Sequence, residues 1–361
     1  MNLNTENNII VYGIQDVVVN EFEMLVACGL YSLSPDQMTP MLAYGQRNMV
    51  GQEIRHYYFD LAREESGRLN PDPVLRSLPA TEGNLLKYLP VTRIFSFGQC
   101  NVACPYCKRD VQFIDDQGRP IVAVDVELRH LFAMAHRAAE RGEIVRFSGG
   151  DPVMFQKHCL ALTYYVRSVF GAKTSIAHNG TGTRWVQQML PLMDSAAIDL
   201  KAVPERIGEI MGVGQKAGER MYHQSLATQA LFSNPETNPH GAILDVRTPV
   251  FGDTALEDMR RLANDICQGD PNTVFWTWRL YKEVKGCTWQ VPNKDVVTEM
   301  LAEVSRRYPW HWMGIRAKWN GGGMLYFRGG QVVNPTTKLD TSEVAGSGNF
   351  DTAQEKGGWH A

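Results

Sequence analysis

The chain alternates between short apolar segments with strand character and longer segments with helical periodicity, six times over between residues 92 and 327. Strands that alternate with helices form parallel sheets joined by right-handed crossovers. Six such units are too few for a closed eight-stranded barrel. We therefore predict an α/β fold, an open partial (β/α)6 barrel of the TIM type with parallel strands. The predicted strands cover 93–97, 144–148, 173–178, 196–200, 242–250 and 274–281, and the predicted helices cover 124–141, 154–170, 183–192, 216–232, 256–267 and 294–308.

The barrel segment divides the chain into three regions. Residues 1–88 contain Ser34-Pro35-Asp36-Gln37, which has the N-cap serine, the proline and the closing glutamine of a capping box. A helix is predicted from there to about residue 65, so the leading region is expected to be a mainly helical extension. Residues 89–330 are expected to form the barrel, with a C-terminal hairpin near its end. Residues 331–361 are rich in Thr, Ser, Gly and Asp, which predicts a flexible tail.

The composition is that of an ordinary globular protein, with 44% hydrophobic residues, 21% charged residues and a formal net charge of −3. The chain lacks the basic excess that attracts nucleic acid or anionic membranes. No segment has the roughly 18 consecutive apolar residues of a membrane helix. The N-terminus lacks the basic and apolar regions of a secretory signal. We therefore expect a cytoplasmic protein with no membrane partner and no direct sign of a nucleic-acid partner.

Seven cysteines are present, and three of them, Cys100, Cys104 and Cys107, lie within eight residues in the spacing C-x3-C-x2-C. The odd count in a long chain argues against a disulfide framework. The motif directly follows the first predicted strand, and parallel barrels carry their sites at the carboxyl ends of their strands. Three thiolates suit a [4Fe–4S] cluster with one iron left for a small ligand. A structural zinc ion would need a fourth ligand, for which His158 and Cys159 are candidates.

The cysteine motif resembles that of the radical SAM (S-adenosylmethionine) superfamily, in which C-x3-C-x2-C follows the first strand of a partial (β/α)6 barrel. The resemblance covers about residues 90–285. It implies that Cys100, Cys104 and Cys107 bind a [4Fe–4S] cluster and that SAM binds the fourth iron. It also implies that Tyr106, the aromatic residue before the third cysteine, packs near the adenine of SAM.

A second motif, Ser148-Gly149-Gly150-Asp151 followed by proline, ends the second predicted strand. It is similar to the GGEP motif of the superfamily, with Asp151 in place of the glutamate. Paired glycines let the backbone approach a ligand closely. The resemblance therefore implies that Ser148, Gly149, Gly150 and Asp151 bind SAM near its methionine ammonium group.

Three further strand ends carry polar residues that resemble motifs of the glycyl-radical-enzyme activases. Asn179 lies in a segment similar to T-N-G, Asp199 and Lys201 match D-x-K, and Arg247 opens R-T-P-V two residues after Asp245. Residues two apart on a strand share a face, and charges there are costly to bury without partners. The resemblance implies that Asn179, Asp199 and Lys201 contact SAM and that Arg247 binds the SAM carboxylate or the substrate. A polar turn at Asn179 and a surface ion pair of Asp199 with Lys201 are the alternatives.

The end of the sixth predicted strand and the segment after it supply candidates for substrate chemistry. Arg279, Tyr281, Lys282 and Lys285 are candidates for binding an anionic substrate. The alternative is that these side chains extend to solvent at the barrel rim. Cys287 is a candidate hydrogen donor to a product radical, and the alternative is a packed cysteine with no chemical role.

With these motifs, the resemblance implies a radical SAM enzyme. A reductant of the flavodoxin or ferredoxin type would deliver an electron, and SAM would be cleaved to methionine and a 5′-deoxyadenosyl radical that abstracts hydrogen from a substrate. The motifs resemble those of the pyruvate formate-lyase activating enzymes, and the late position of the cysteines is similar to the AmmeMemoRadiSam group. We expect a small molecule or a biosynthetic intermediate as the substrate. The alternatives are an activase that installs a glycyl radical on a partner enzyme and a zinc-binding structural module.

Overall fold

The computed structural model describes residues 33–34, 36–44, 52–55, 62–63, 69–70, 91–107, 121–316 and 324–332. The strands in these residues are β1 (Met38–Tyr44), β2 (Gln52–Arg55), β3 (Ala62–Arg63), β4 (Leu69–Asn70), β5 (Val91–Phe97), β6 (Ile121–Glu127), β7 (Ile144–Gly149), β8 (Thr174–His178), β9 (Ser195–Asp199), β10 (Ile243–Val250), β11 (Val274–Leu280), β12 (Met313–Arg316), β13 (Met324–Arg328) and β14 (Gln331–Val332). The α-helices are α1 (Leu128–Glu140), α2 (Gln156–Phe170), α3 (Thr183–Met189), α4 (Pro204–Met211), α5 (Gln215–Ser233), α6 (Leu256–Ile266) and α7 (Lys294–Arg307).

A sheet of twelve strands organises the described residues, in the order β14-β13-β12-β11-β10-β9-β8-β7-β5-β1-β6, with β2 also paired to β5. The run from β5 through β7 to β12 is parallel. The strands beyond it at both ends pair antiparallel. Within the described residues β14 and β6 end the order without pairing with each other, so the sheet is an open barrel. The predicted partial barrel with parallel strands is confirmed.

The two faces of the parallel strands carry different residues. One face presents an apolar row that crosses the sheet in register and belongs to the hydrophobic core. Its members are Phe95, Phe147, Ile176, Ala196, Leu244 and Val274. Helix residues such as Leu131 and Leu162 belong to the same core, so this face lies under the helices.

The other face, here called the inner face, carries small and charged residues, because successive strand residues point to opposite sides. Near the carboxyl ends of the strands, Asp199 is in register with Arg247, and Arg247 is in register with Thr277. Ser148 occupies the same face of β7 in register with Ser96. Bulky branched residues usually fill a parallel barrel, so this polar interior indicates a site for chemistry.

The helix predicted from Ser34 to about residue 65 is wrong where the structure describes this region, because Met38–Tyr44 is strand β1. Ser34 does form a local turn, in which its carbonyl accepts the N–H of Gln37 at 3.1 Å. The chain then pairs with β6, with Met41 opposite Val124. Short capping signals are weak beside a seven-residue strand pairing. The described elements between residues 1 and 88 are all strands, and the other residues of this region lie outside the described part.

The first predicted barrel helix, 124–141, begins too early. Its first residues belong to β6, which pairs with β1 along its whole length, and α1 begins at Leu128.

Helix α4, which begins with proline at its first turn, was not predicted. The hairpin strands at 313–316 and 324–328 are present as β12 and β13, and they pair antiparallel. Most of the predicted tail lies outside the described residues, apart from the start that contains β14.

Among the described residues there is no helix with the length and apolarity that crossing a bilayer would require.

Candidate metal centre

The three motif cysteines lie on one loop, residues 98–107, directly after β5. Cys104 is buried, Cys107 is half-buried and Cys100 is exposed. A tight turn joins the last two, since the N–H of Cys107 donates to the carbonyl of Cys104 at 3.0 Å. At the start of the loop, the N–H of Gly98 donates to the carbonyl of Pro40 at 2.8 Å. The loop is therefore held by backbone contacts at both ends.

The paired glycines lie directly under the cysteine loop. The N–H of Gly150 donates to the carbonyl of Phe97, and the N–H of Asp151 donates to the carbonyl of Gln99, both at 2.6 Å. A Cβ atom on Gly149, where φ is +111°, would lie 2.2 Å from the backbone nitrogen of Phe97. A Cβ atom on Gly150 would lie 2.2 Å from the carbonyl oxygen of Gln99. The glycines make room for the loop that carries the cysteines, a need that the sequence pattern alone did not indicate.

Asp151 ties two loops together with one buried side chain. Its two carboxylate oxygens accept the N–H of Val153 at 2.8 Å and the N–H of Asn179 at 2.7 Å. Burial raises the pKa of Asp151 to about 7, although both hydrogen bonds oppose the rise. In this structure the carboxylate connects the loops after β7 and β8 next to the cysteine loop.

Asn179 faces the cysteine loop through its side chain. Its Nδ2 donates to Oδ1 of Asn101, and its Oδ1 accepts the hydroxyl of Thr181 at 2.8 Å. Asn101 in turn donates to Thr181 Oγ1 at 3.1 Å. Asn101 and Thr181 were not among the predicted site residues. Their position beside Cys100 and Asn179 was the only signal in the sequence.

Helix α4 fixes the middle of the same loop. The carbonyl of Met211 accepts the N–H of Ala103 at 3.0 Å. Gly212 ends the helix at a φ of +63°, and a Cβ atom there would lie 2.0 Å from the carbonyl oxygen of Ala103. A helix that the sequence analysis missed therefore supports the candidate metal centre.

Lys201 connects Asp199 to Tyr106, the residue before Cys107. Its Nζ lies 3.0 Å from Asp199 Oδ2 and donates to the Tyr106 hydroxyl at 3.0 Å. Tyr106 is buried among aromatic rings, with centroids 5.2 Å from Phe251 and 5.5 Å from Trp289. The alternative of a surface ion pair is wrong, since the side chains of Lys201 and Asp199 are only 11% and 26% exposed.

The charges around Lys201 keep both Asp199 and Lys201 ionised. Burial would disfavour both charges, but Lys201 holds the pKa of Asp199 below its usual value, with help from Arg247 and Arg279. Asp199 likewise keeps the pKa of Lys201 well above its usual value against burial. The pair is therefore an ion pair at neutral pH.

Two of the motif thiols, those of Cys100 and Cys104, have raised pKa values in the metal-free chain. Burial raises the pKa of Cys104. Cys100 is exposed on its outer side, yet the surrounding loop removes enough water to raise its pKa to about 12, and the charge of Asp151 adds to the effect. Thiolates are the form that binds metal, so positive iron would be needed to hold these sulfurs ionised.

Arg247 and Asp245 form a buried ion pair on the inner face. Arg247 Nε lies 2.8 Å from Asp245 Oδ2, and Thr277 Oγ1 donates to Asp245 Oδ1 at 2.5 Å. This pair lies one strand away from Asp199 through the register of β9 and β10. Arg247 is thus brought to the same edge as the cysteine loop, with its charge compensated by Asp245.

Cys287 is half-buried in the segment after β11, and Tyr281 hydrogen-bonds to it. Burial and this contact raise the pKa of Tyr281 to about 12. The Tyr281 ring lies 6.4 Å from that of Tyr106. The side chain of Tyr281 therefore lies between Cys287 and Tyr106 of the cysteine loop.

Among the described residues, no three His, Cys, Asp or Glu side chains converge closely enough to hold a single metal ion. A [4Fe–4S] cluster does not require such convergence, because each cysteine sulfur binds a different iron atom. A zinc ion does require it, since its ligands surround one atom. The C-x3-C-x2-C spacing of three thiols on one loop fits the cluster.

Comparison with known families identifies the segment that carries this centre. Residues 91–204 match the family described as "4Fe-4S single cluster domain". The matched segment runs from the first residue of β5 to the first residue of α4, and it includes the cysteine loop and the segments after β7 and β8 that contact it. The match confirms the predicted [4Fe–4S] cluster and supports the resemblance to the radical SAM superfamily.

No curated protein sequence matches the chain. Among solved structures, a domain of pyruvate-formate lyase-activating enzyme from Bacteroides vulgatus ATCC 8482 is similar over 48% of this chain and 98% of its own, with 12% identity and a TM-score of 0.38. A radical SAM methyltransferase from Sphaerobacter thermophilus is similar over 64% of this chain and 66% of its own, with 11% identity and a TM-score of 0.46.

Proposed function

We propose that this chain is a radical SAM enzyme that abstracts a hydrogen atom from a small substrate at the carboxyl ends of its barrel strands. The observation that carries the proposal is the cysteine loop, in which the segments after β7 and β8 and the end of α4 hold Gln99, Asn101 and Ala103, the residues beside Cys100 and Cys104. The family match over residues 91–204 supports the same conclusion.

Cys100, Cys104 and Cys107 would hold the [4Fe–4S] cluster, with one iron left for SAM. The bound cluster supplies the electron for reductive cleavage of SAM, at the low end of the potentials that such clusters span. We propose a reductant of the flavodoxin or ferredoxin type as the source of that electron.

The chain's own side chains would bind and orient SAM. Tyr106 would pack near its adenine, and Ser148, Gly149, Gly150 and Asp151 would lie near its methionine ammonium group. Asp199 and Lys201 offer opposite charges beside Tyr106, held 3.0 Å apart. The resemblance assigns contacts with SAM to this pair and to Asn179, and a carboxylate of SAM or substrate to Arg247.

The inner face supports a small substrate rather than a protein. Asp245, Arg247 and Thr277 are all buried there, with relative exposures of 3%, 7% and 1%. Burial excludes water from the region where a reactive radical would form. Cys287 would then be a candidate hydrogen donor on the aromatic side of the site.

An activase for a glycyl radical enzyme is the second candidate, favoured by the placement of Asp199 and Lys201 beside the cysteine loop as the D-x-K resemblance requires. Such an enzyme would need to admit a segment of its partner to the inner face. A glycyl radical doublet in the electron spin resonance of a partner protein, after incubation with SAM and reductant, would favour the activase over the small-molecule enzyme.

Anaerobic reconstitution tests the proposal directly. The full chain is loaded with iron and sulfide, and dithionite and SAM are added. We expect iron–sulfur absorbance and release of 5′-deoxyadenosine. If zinc binds tightly and neither the absorbance nor the nucleoside appears, the result contradicts the enzyme proposal and favours a zinc-binding structural module.

A further inference from the structure

Cys100 differs from the other two motif cysteines in how the fold can hold it. Cys104 is buried and Cys107 is half-buried, so packing restricts both, whereas Cys100 is exposed. Packing does not restrict an exposed side chain on a loop. Its position then depends on how firmly the adjacent residues of the loop are held by hydrogen bonds. The residues on either side of Cys100 therefore decide where its sulfur lies.

Both neighbours of Cys100 are tied to the segments that follow β7 and β8. On one side, the carbonyl of Gln99 accepts the N–H of Asp151 at 2.6 Å. On the other side, the side chain of Asn101 bonds to Asn179 and Thr181. Asp151 also accepts the N–H of Asn179, so the two ties meet at one place.

The contacts of Asn101 form a closed ring of three hydrogen bonds. Asn179 Nδ2 donates to Asn101 Oδ1, Asn101 Nδ2 donates to Thr181 Oγ1, and the Thr181 hydroxyl donates to Asn179 Oδ1. Each side chain gives one hydrogen and receives one, so the bonds polarise each other in the same direction. Asn179 and Thr181 are each 4% exposed, which shields two members from competing water.

We propose that Asn101 and Thr181 are positioning residues for Cys100, the first ligand of the iron–sulfur cluster. The ring holds the loop on the far side of Cys100 from the Gln99 tie, so its loss frees the first thiolate while the other two stay packed. This inference rests on the proposed function in one respect, that Cys100 binds iron.

The test is the rate at which a chelator removes iron from the reconstituted full chain. Thr181→Val keeps the shape of the side chain and removes the hydroxyl that closes the ring. We expect iron loss about tenfold faster, the rate change that corresponds to the loss of one or two hydrogen bonds. Thr181→Ser keeps a hydroxyl, and we expect it to restore the wild-type rate.

Thr183→Val is the matched control. The Thr183 hydroxyl also makes two hydrogen bonds, with the carbonyl of Gln224 and the hydroxyl of Thr228, both at 3.1 Å, and neither partner lies in the cysteine loop. A general loss of stability would appear in both valine variants, as a lower urea midpoint of the metal-free chain. Faster iron loss is expected in Thr181→Val and not in Thr183→Val.

The inference is overturned if Thr181→Val and Thr183→Val release iron at the same rate. If Thr181→Val does not fold, Asn101→Ala decides, because this variant loses the bonds to both Asn179 and Thr181 at an exposed position. Iron loss at the wild-type rate in Asn101→Ala would then overturn the inference. A wild-type chain that cleaves SAM alongside such results leaves the proposed function standing, whereas a wild-type chain that binds no iron overturns both.

Discussion

The ammonium of Lys201 donates a hydrogen bond of 3.0 Å to the hydroxyl of Tyr106, and the same nitrogen lies 3.0 Å from the carboxylate of Asp199. Tyr106 precedes Cys107, one of the proposed cluster ligands, so one cation connects the strand end of β9 to the cysteine loop. The three groups also explain each other's burial, because the charges of Asp199 and Lys201 compensate each other and the Tyr106 hydroxyl accepts a second of the three ammonium hydrogens.

Lys201→Met is expected to destabilise the metal-free chain by about 2 kcal/mol, because it leaves Asp199 without its nearest cation. The measurement is the free energy of unfolding in urea at neutral pH. Tyr106→Phe is the matched control, since it removes one hydrogen bond of about 1 kcal/mol and keeps the ion pair. Equal unfolding free energies for Lys201→Met and the wild type would show that the pair does not matter to the fold.

Gly150→Ala is expected to prevent the cysteine loop from closing over β7. The new methyl group would lie 2.2 Å from the carbonyl oxygen of Gln99, a backbone atom that cannot rotate away. Overpacking of this kind costs about 1–3 kcal/mol, and we expect iron content after reconstitution to fall severalfold. Gly214→Ala is the control, because no atom lies within 4 Å of its Cβ position and its φ is −63°. Full iron content in Gly150→Ala would contradict the close approach of Gly150 to the backbone of Gln99.

His178 predicts a specific pH dependence of stability. Burial lowers its pKa from 6.5 to about 4, and its Nδ1 accepts the N–H of Gly180 at 3.2 Å, which requires an unprotonated nitrogen. The unfolded chain takes up this proton below pH 6.5 and the folded chain does not, so the contribution of His178 is present above pH 6.5 and is lost as the pH falls towards 4. The full loss is on the order of 3 kcal/mol.

Urea unfolding of the metal-free chain between pH 7 and about pH 4 measures this slope. His178→Gln removes the titrating group, and we expect the variant to lose less stability over this range than the wild type. Parallel curves for the two proteins would mean that His178 is protonated in the folded chain.

The parallel strands were predictable because their signals are local. Ile144–Gly149 and Thr174–His178 are short apolar runs between polar turns, and they were found within one or two residues of their ends. The cysteine motif likewise pointed to the carboxyl edge of the sheet for the candidate metal centre, because a loop that directly follows a parallel strand lies there.

The strand β1 could not be predicted because its reason lies far away in the sequence. Met38–Tyr44 pairs with Ile121–Glu127, and the local sequence of neither segment indicates that the other is its partner. Capping residues favoured a helix after Ser34, and the helix predicted over 124–141 included the last residues of β6. A long-range pairing decided both.

The motif also did not predict what the paired glycines pack against. A glycine pair after a strand predicts a close approach, but not what approaches. In the structure the neighbour is the backbone of Phe97 and Gln99. The ring of Asn101, Asn179 and Thr181 was hidden for the same reason, since its members come from two loops that meet only in the folded chain.

The most direct test of the account is to replace Cys104, the buried one of the three proposed ligands, with alanine and to measure bound iron and 5′-deoxyadenosine together. Cys159→Ala serves as the control, since Cys159 is also buried but contacts the carbonyl of Pro152 at 3.8 Å rather than the loop. We predict that Cys104→Ala loses both the cluster and nucleoside release, while Cys159→Ala keeps both. Wild-type iron and nucleoside release in Cys104→Ala would contradict the assignment of the cysteine loop as the metal centre.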